Sequence, residues 1–138
     1  MINTASGSGT TLPNPGQANY GSAKAATAAL TLIAAEEVER YGVRVNAIVP
    51  LARTRLLLAT PGLGSWMSEP EDGELDLFSP ANISPLVAYL ATERCPITGR
   101  VYAVQGGAIS QLSGRHDVAT IETDGPWLID DIAARLPS

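Results

Sequence analysis

The sequence predicts an α/β fold built on a parallel sheet, and three observations carry that expectation. Short β-compatible runs stand at 2–5, 43–49 and 101–104, a long stretch rich in Ala, Leu and Glu at 18–41 separates the first two, and a shorter helical stretch precedes the third. Strand, helix, strand is the order in which parallel neighbours are joined, because a parallel pair needs a crossover too long for a turn. With 138 residues the chain is expected to form one domain.

Ile2 to Ala5 gives way to Ser6-Gly7-Ser8-Gly9, residues that tolerate tight turns and close backbone approach, so it reads as a strand feeding a loop. Leu12-Pro13-Asn14-Pro15-Gly16 continues that loop, since two prolines leave no regular structure there. From Ala18 to Tyr41 apolar Ala26, Leu30, Ile33 and Val38 recur at helical spacing, and Gly42 stands where a left-handed cap belongs. Val43 to Val49 is β-branched in part and stops at Pro50. Thr54 to Ala59 suits a short helix, whereas 61–77, which mixes Gly, Pro and acidic residues around Trp66, reads as a mobile loop. Ser84 is expected to cap a second helix with Pro85 in its first turn, running to about Glu93 before Pro96 stops it. Val101 to Val104 is the third strand, closed by Gly106-Gly107. Within a C-terminal extension over 124–138, Trp127 to Leu136 reads as a terminal helix with Trp127, Ile132 and Leu136 as packing residues.

Composition narrows the function classes. Fourteen acidic against nine basic side chains give a net charge of -5, which offers no long-range attraction to nucleic acid or anionic lipid. No apolar stretch approaches the length of a membrane span, and the first residues lack the pattern of a secretory signal. The single Cys95 permits no internal disulfide, so a cytoplasmic location is expected. Metal binding is not expected, since Glu69 to Glu74 reads as a solvated acidic loop. His116 beside Asp117 lies in loop-like sequence with no nucleophile elbow, and it reads as an exposed histidine rather than a hydrolase base. Cys95 reads as a small buried hydrophobe.

Tyr20 and Lys24, the chain's only lysine, are four apart at the start of the long helix and so share a face. An ammonium beside a phenol lowers the cost of negative charge on its oxygen, which suits a group that gives and takes a proton. Ser6 lies at the carboxyl end of the first strand, the edge where parallel α/β sheets bind ligands. Three polar groups of this kind support carbonyl or alcohol chemistry, yet no side chain donates hydride, so oxidation or reduction there needs a cofactor.

Asn3-Thr4-Ala5-Ser6-Gly7-Ser8-Gly9, then Gly16-Gln17-Ala18-Asn19-Tyr20-Gly21-Ser22-Ala23-Lys24, then Val43-Arg44-Val45-Asn46-Ala47-Ile48-Val49-Pro50 resemble the consecutive signatures of the short-chain dehydrogenase/reductase superfamily. Within it the chain resembles 3-oxoacyl-carrier-protein reductases and the (3R)-hydroxyacyl-CoA dehydrogenase domain of peroxisomal multifunctional enzymes, and Ala52-Arg53-Thr54-Arg55, the Ser79-Pro80 to Glu93 segment and the late Trp127 helix resemble that second branch. The resemblance implies the C-terminal half of a Rossmann-like doubly wound parallel sheet, with three strands and crossover helices. It implies an NAD- or NADP-dependent oxidoreductase that interconverts a carbonyl and a secondary alcohol, with 3-oxoacyl or 3-hydroxyacyl thioesters as substrates. Tyr20 is then the general acid/base, Lys24 supports it and binds the nicotinamide ribose, and Ser6 orients the reacting oxygen. The Pro50 to Thr54 segment then meets the nicotinamide carboxamide, with Thr54 as the hydroxyl or, alternatively, only the cap of the following helix. The 18–41 helix is implied to join copies into a homo-oligomer.

Departures from the family pattern are also visible. The strand, Gly-rich turn and helix with which family members open have no counterpart here, and the catalytic asparagine would precede Met1, so neither Asn3 nor Asn46 is that residue. Ser6 stands one residue further from Tyr20 than is usual, with Ser8 as its competitor, and Leu51 replaces the glycine that commonly follows Pro50. A second expectation therefore stands beside the enzyme: a truncated, inactive chain acting through a dimerisation surface.

Overall fold

The computed structural model describes residues 1–59, 67, 70–71 and 73–136. Four strands, β1 (Ile2–Thr4), β2 (Asn46–Pro50), β3 (Arg100–Gln105) and β4 (Ala108–Leu112), form one sheet in the order β1-β2-β3-β4. The first three are parallel, with Ile2 opposite Asn46 and Asn46 opposite Arg100, as the crossover pattern requires. The fourth goes beyond the expected three strands: Gly106 and Gly107 turn the chain back so that β4 pairs antiparallel with β3.

Helix α1 (Ala18–Val38) crosses from β1 to β2, and a short 3-10 turn (Glu39–Tyr41) extends it to Gly42 in a left-handed cap. Its apolar spacing reveals the helix but not the buried face. Leu30 and Ile33 are 59% and 58% exposed, whereas the buried residues are Thr31 and Ala35, with Ala28 packed on the sheet. Small side chains there let the helix backbone approach the strands closely. Thr31, though fully buried, is satisfied: its hydroxyl donates to Thr27 O at 2.8 Å and accepts from Asn3 Nδ2 at 2.9 Å.

Alternation along the strands divides the core. Ala5, Ala47, Val49 and Val101 pack with Ala28 on the α1 side, while Ile48 and Val104 meet Leu86, Leu90 and Cys95 on the other. The second layer comes from α3 (Ser84–Ala91), preceded by the short α2 (Arg55–Leu58). Helices therefore cover both faces, the doubly wound arrangement. Cys95 is buried as expected.

Several boundaries differ from expectation for identifiable reasons. Ser84 is already helical, and the serine cap belongs to Ser79, whose Oγ accepts from Ala81 N at 3.3 Å to open a 3-10 turn over Pro80–Asn82. Helix α3 stops at Ala91, where Thr92 turns extended and its hydroxyl takes the Tyr89 carbonyl at 2.8 Å. Pro50 belongs to β2, because Leu51 N supplies the bond to Val104 O at 3.0 Å. The terminal helix α4 (Ile129–Arg135) forms, but Trp127, Ile132 and Leu136 are exposed rather than packed in the core. Arg135 instead stacks its guanidinium 5.2 Å from the Trp127 ring and donates to Glu122 O. Of the loop expected over 61–77, residues 61–66, Trp66 included, with 68, 69 and 72 lie outside the described residues. Among the described residues no helix is long and apolar enough to cross a membrane.

Asn46 brackets the sheet. It is 1% exposed, donates from Nδ2 to Ile97 O at 2.7 Å and accepts at Oδ1 from Arg100 N at 3.1 Å, so it joins the start of β2 to the turn that enters β3. Asn46→Ala removes the partner of both partly buried backbone groups. A loss of about 3 kcal/mol in unfolding free energy is expected by urea denaturation, and an unchanged midpoint would count against this bracket.

Candidate active site

The sheet's carboxyl edge is assembled from the loops that leave β1 and β2. Thr4 pairs with Ile48 and Ala5 N donates to Ile48 O at 2.8 Å, so extending the register puts Ser6 level with Pro50 on the neighbouring strand. Ser6 is extended and half-buried, and its Oγ accepts from Ser8 N at 3.3 Å, capping a 3-10 turn over Gly7–Gly9. Because that oxygen accepts, its hydroxyl proton can still be donated outward.

Lys24 links this edge to Tyr20. Its Nζ donates to Thr4 O at 2.8 Å and lies 5.7 Å from the centre of the Tyr20 ring, one helical turn earlier. Tyr20 itself is 45% exposed. The helix is brought here by Gly9: a Cβ on it would stand 2.4 Å from Ala25 N and 2.7 Å from both Gly21 O and the Lys24 carbonyl carbon. Only a glycine lets the loop backbone settle on the turn of α1 that ends in Lys24.

Ser8, the competitor to Ser6, is otherwise engaged. Its hydroxyl donates to Gln17 Oε1 at 2.7 Å, and its carbonyl lies against Gly21. Thr54 stands four residues past Pro50 and accepts from Leu57 N at 3.3 Å, so it does cap α2. Accepting that bond leaves its proton available, and the two expectations for Thr54 are compatible. His116 is exposed, with Nδ1 3.3 Å from Gly114 O. No cluster of potential metal ligands occurs among the described residues.

The donor set fits one end of a nicotinamide dinucleotide. An ammonium held at the end of β1, a phenol one helical turn from it and the hydroxyl that follows β1 are the donor types that ribose hydroxyls and a carboxamide accept. Gly7 and Gly9 do not form a pyrophosphate cradle, because Thr10, Thr11 and Leu12 N–H groups turn inward onto Gly7 O and Gly9 is filled by α1. The pair that sequence reasoning missed is Arg53 with Asp76, whose guanidinium and carboxylate meet behind the Thr54 loop. Twenty-three residues separate them, and no local pattern announces the contact.

Comparison with known proteins gives these residues a context. The enoyl-(acyl carrier protein) reductase family matches residues 1–109. A hydroxyacyl-CoA dehydrogenase of Mycobacterium tuberculosis is 36% identical over 138 residues, covering 99% of this chain and 42% of its own length. A crystal structure of a short chain dehydrogenase from Mycobacterium avium superposes with a TM-score of 0.76 at 40% identity, over 96% of this chain and 42% of that one. A 4-hydroxyisoleucine dehydrogenase complexed with NADH gives a TM-score of 0.61 at 30% identity over 77% of this chain and 45% of that one. The chain thus spans less than half the length of these relatives.

Gly9→Ala tests the seat of the loop. A methyl group there must force loop and helix apart, and a destabilisation of about 2–3 kcal/mol is expected, read by urea denaturation. Full stability would mean that the loop does not depend on this approach.

Proposed function

The chain belongs to the short-chain dehydrogenase/reductase family, and from that membership we propose that it carries the catalytic half of a nicotinamide-dependent oxidoreductase acting on 3-oxoacyl or 3-hydroxyacyl thioesters. The observation that carries the proposal is Lys24 joining the end of β1 to the Tyr20 ring. The substrate class follows the hydroxyacyl-CoA dehydrogenase relative, and the cofactor is NAD or NADP.

NAD or NADP, when bound, would supply or accept the hydride. Tyr20 gives its phenolic proton to the oxygen that becomes the alcohol in reduction and recovers it in oxidation. Ser6 donates a hydrogen bond to the same oxygen and so fixes its direction. Lys24 uses one N–H on Thr4 O and keeps two that would hold ribose hydroxyls, so the cation would tie the cofactor to the end of β1. Pro50 and Thr54 would hold the carboxamide, with the Thr54 hydroxyl free to donate from its capping position.

A second reading concerns assembly. The exposure of Leu30 and Ile33 on the outer side of α1 favours contact between copies through the 18–41 helix.

Tyr20→Phe removes the proton and keeps the ring. Turnover of a 3-oxoacyl thioester by the protein as its source expresses it is expected to fall at least about a hundredfold, and undiminished turnover would remove Tyr20 from the mechanism. For assembly, sedimentation is expected to show an oligomer that Leu30→Glu combined with Ile33→Glu reduces to a lower mass. A monomeric unsubstituted protein would end that reading.

A further inference from the structure

Arg53 lies immediately before Thr54, and the structure surrounds it with fixed partners. Its backbone N–H donates to Phe78 O at 2.6 Å. From the side chain, Nη2 donates to Asp76 Oδ2 and Nη1 to Met67 O at 3.2 Å. Asp76 is held in turn: Oδ1 accepts from Phe78 N at 3.1 Å, and its carbonyl accepts from Asn82 Nδ2 at 2.7 Å. The Arg53 and Asp76 side chains are only 13% and 26% exposed, shielding that distinguishes them from an ordinary surface pair.

The strip from 76 to 78 also rests on the end of β3. Gly106, at a φ of +53°, receives Leu77 so closely that a Cβ would stand 2.8 Å from Leu77 Cδ2 and 3.2 Å from Leu77 Cα. Leu51 N meanwhile donates to Val104 O at 3.0 Å. Residues 51–53 are therefore held between β3 on one side and 76–78 on the other, and Thr54 leaves this clamp in extended conformation to cap α2.

We propose that the Arg53–Asp76 pair is a positioning clasp for Thr54, fixing the backbone that presents its hydroxyl to the nicotinamide cofactor. The proposal rests on the dehydrogenase reading above. A preorganised donor reduces what must be ordered when the cofactor arrives, and so acts on cofactor affinity rather than on proton transfer by Tyr20.

The test uses Arg53→Met, Asp76→Asn, the double variant and Arg53→Lys in the protein as its source expresses it, with a 3-oxoacyl thioester and NADH or NADPH. Each single loss is expected to raise the cofactor KM about tenfold with kcat within about twofold. The double variant is expected to do no worse than either single, and Arg53→Lys to recover most of the affinity. Hydrogen exchange on the 138-residue chain supplies a reading free of turnover: Asp76→Asn is expected to speed exchange at the Arg53 and Leu57 amides, whose partners are Phe78 O and Thr54 Oγ1. Additive effects, an unchanged cofactor KM, or an unchanged Leu57 amide would each overturn the clasp. Absence of cofactor turnover in the unsubstituted protein would overturn the dehydrogenase reading and the cofactor role with it, a result distinct from failure of the clasp alone.

Discussion

The site depends on a backbone approach at Gly9. There the loop after β1 lies against α1 with no room for a side chain, and that contact determines how the first turns of the helix sit relative to the sheet. Lys24 reaches the Thr4 carbonyl only because the helix is seated this way, and Tyr20 follows from Lys24 by one turn of helix geometry. The serine loop, the lysine and the tyrosine thus form one mechanical unit, held by packing and one charge-assisted hydrogen bond. The loop spends its own N–H groups inside itself, so its glycines serve seating rather than anion binding.

Packing on the rest of α1 follows the same preference for small groups. Ala28, Thr31 and Ala35 face the strands, and the larger Leu30 and Ile33 are left on the outside. Burying alanines yields less hydrophobic stabilisation than burying leucines would, but the close approach it permits also lets Asn3 and Thr31 satisfy each other across the helix–sheet boundary. Elsewhere polar side chains do comparable work: Asn46 spans β2 and the entry to β3, and Thr98 Oγ1 accepts from Val45 N at 3.1 Å beside it.

Much of this was legible in the sequence, because the crossovers and the spacing of Tyr20 and Lys24 are local patterns. A helix places residues four apart side by side wherever it occurs, and strand, helix, strand dictates parallel neighbours. The outward stripe of α1 was legible as helix and not as surface, since periodicity reveals a face without saying which way it points. Strand β4 escaped notice because Ala108 to Leu112, largely exposed, carries no apolar alternation. Position favours Ser6 over Ser8 because it directly follows the strand, whereas the engagement of Ser8 by Gln17, nine residues on, is a tertiary contact that the sequence does not announce. The Arg53–Asp76 pair joins segments whose proximity comes from the tertiary fold.

The register of the sheet also sets an order of events in time. The turn at Gly106-Gly107 pairs Gln105 with Ala108, neighbours in the chain, and such a hairpin closes in about 1–10 μs. The parallel ladders must wait for Ile2 to find Asn46 and for Asn46 to find Arg100, searches that pass through the whole of α1 or α3 before any strand bond rewards them. On sequence separation alone, the antiparallel hairpin is the piece of the sheet expected to form soonest.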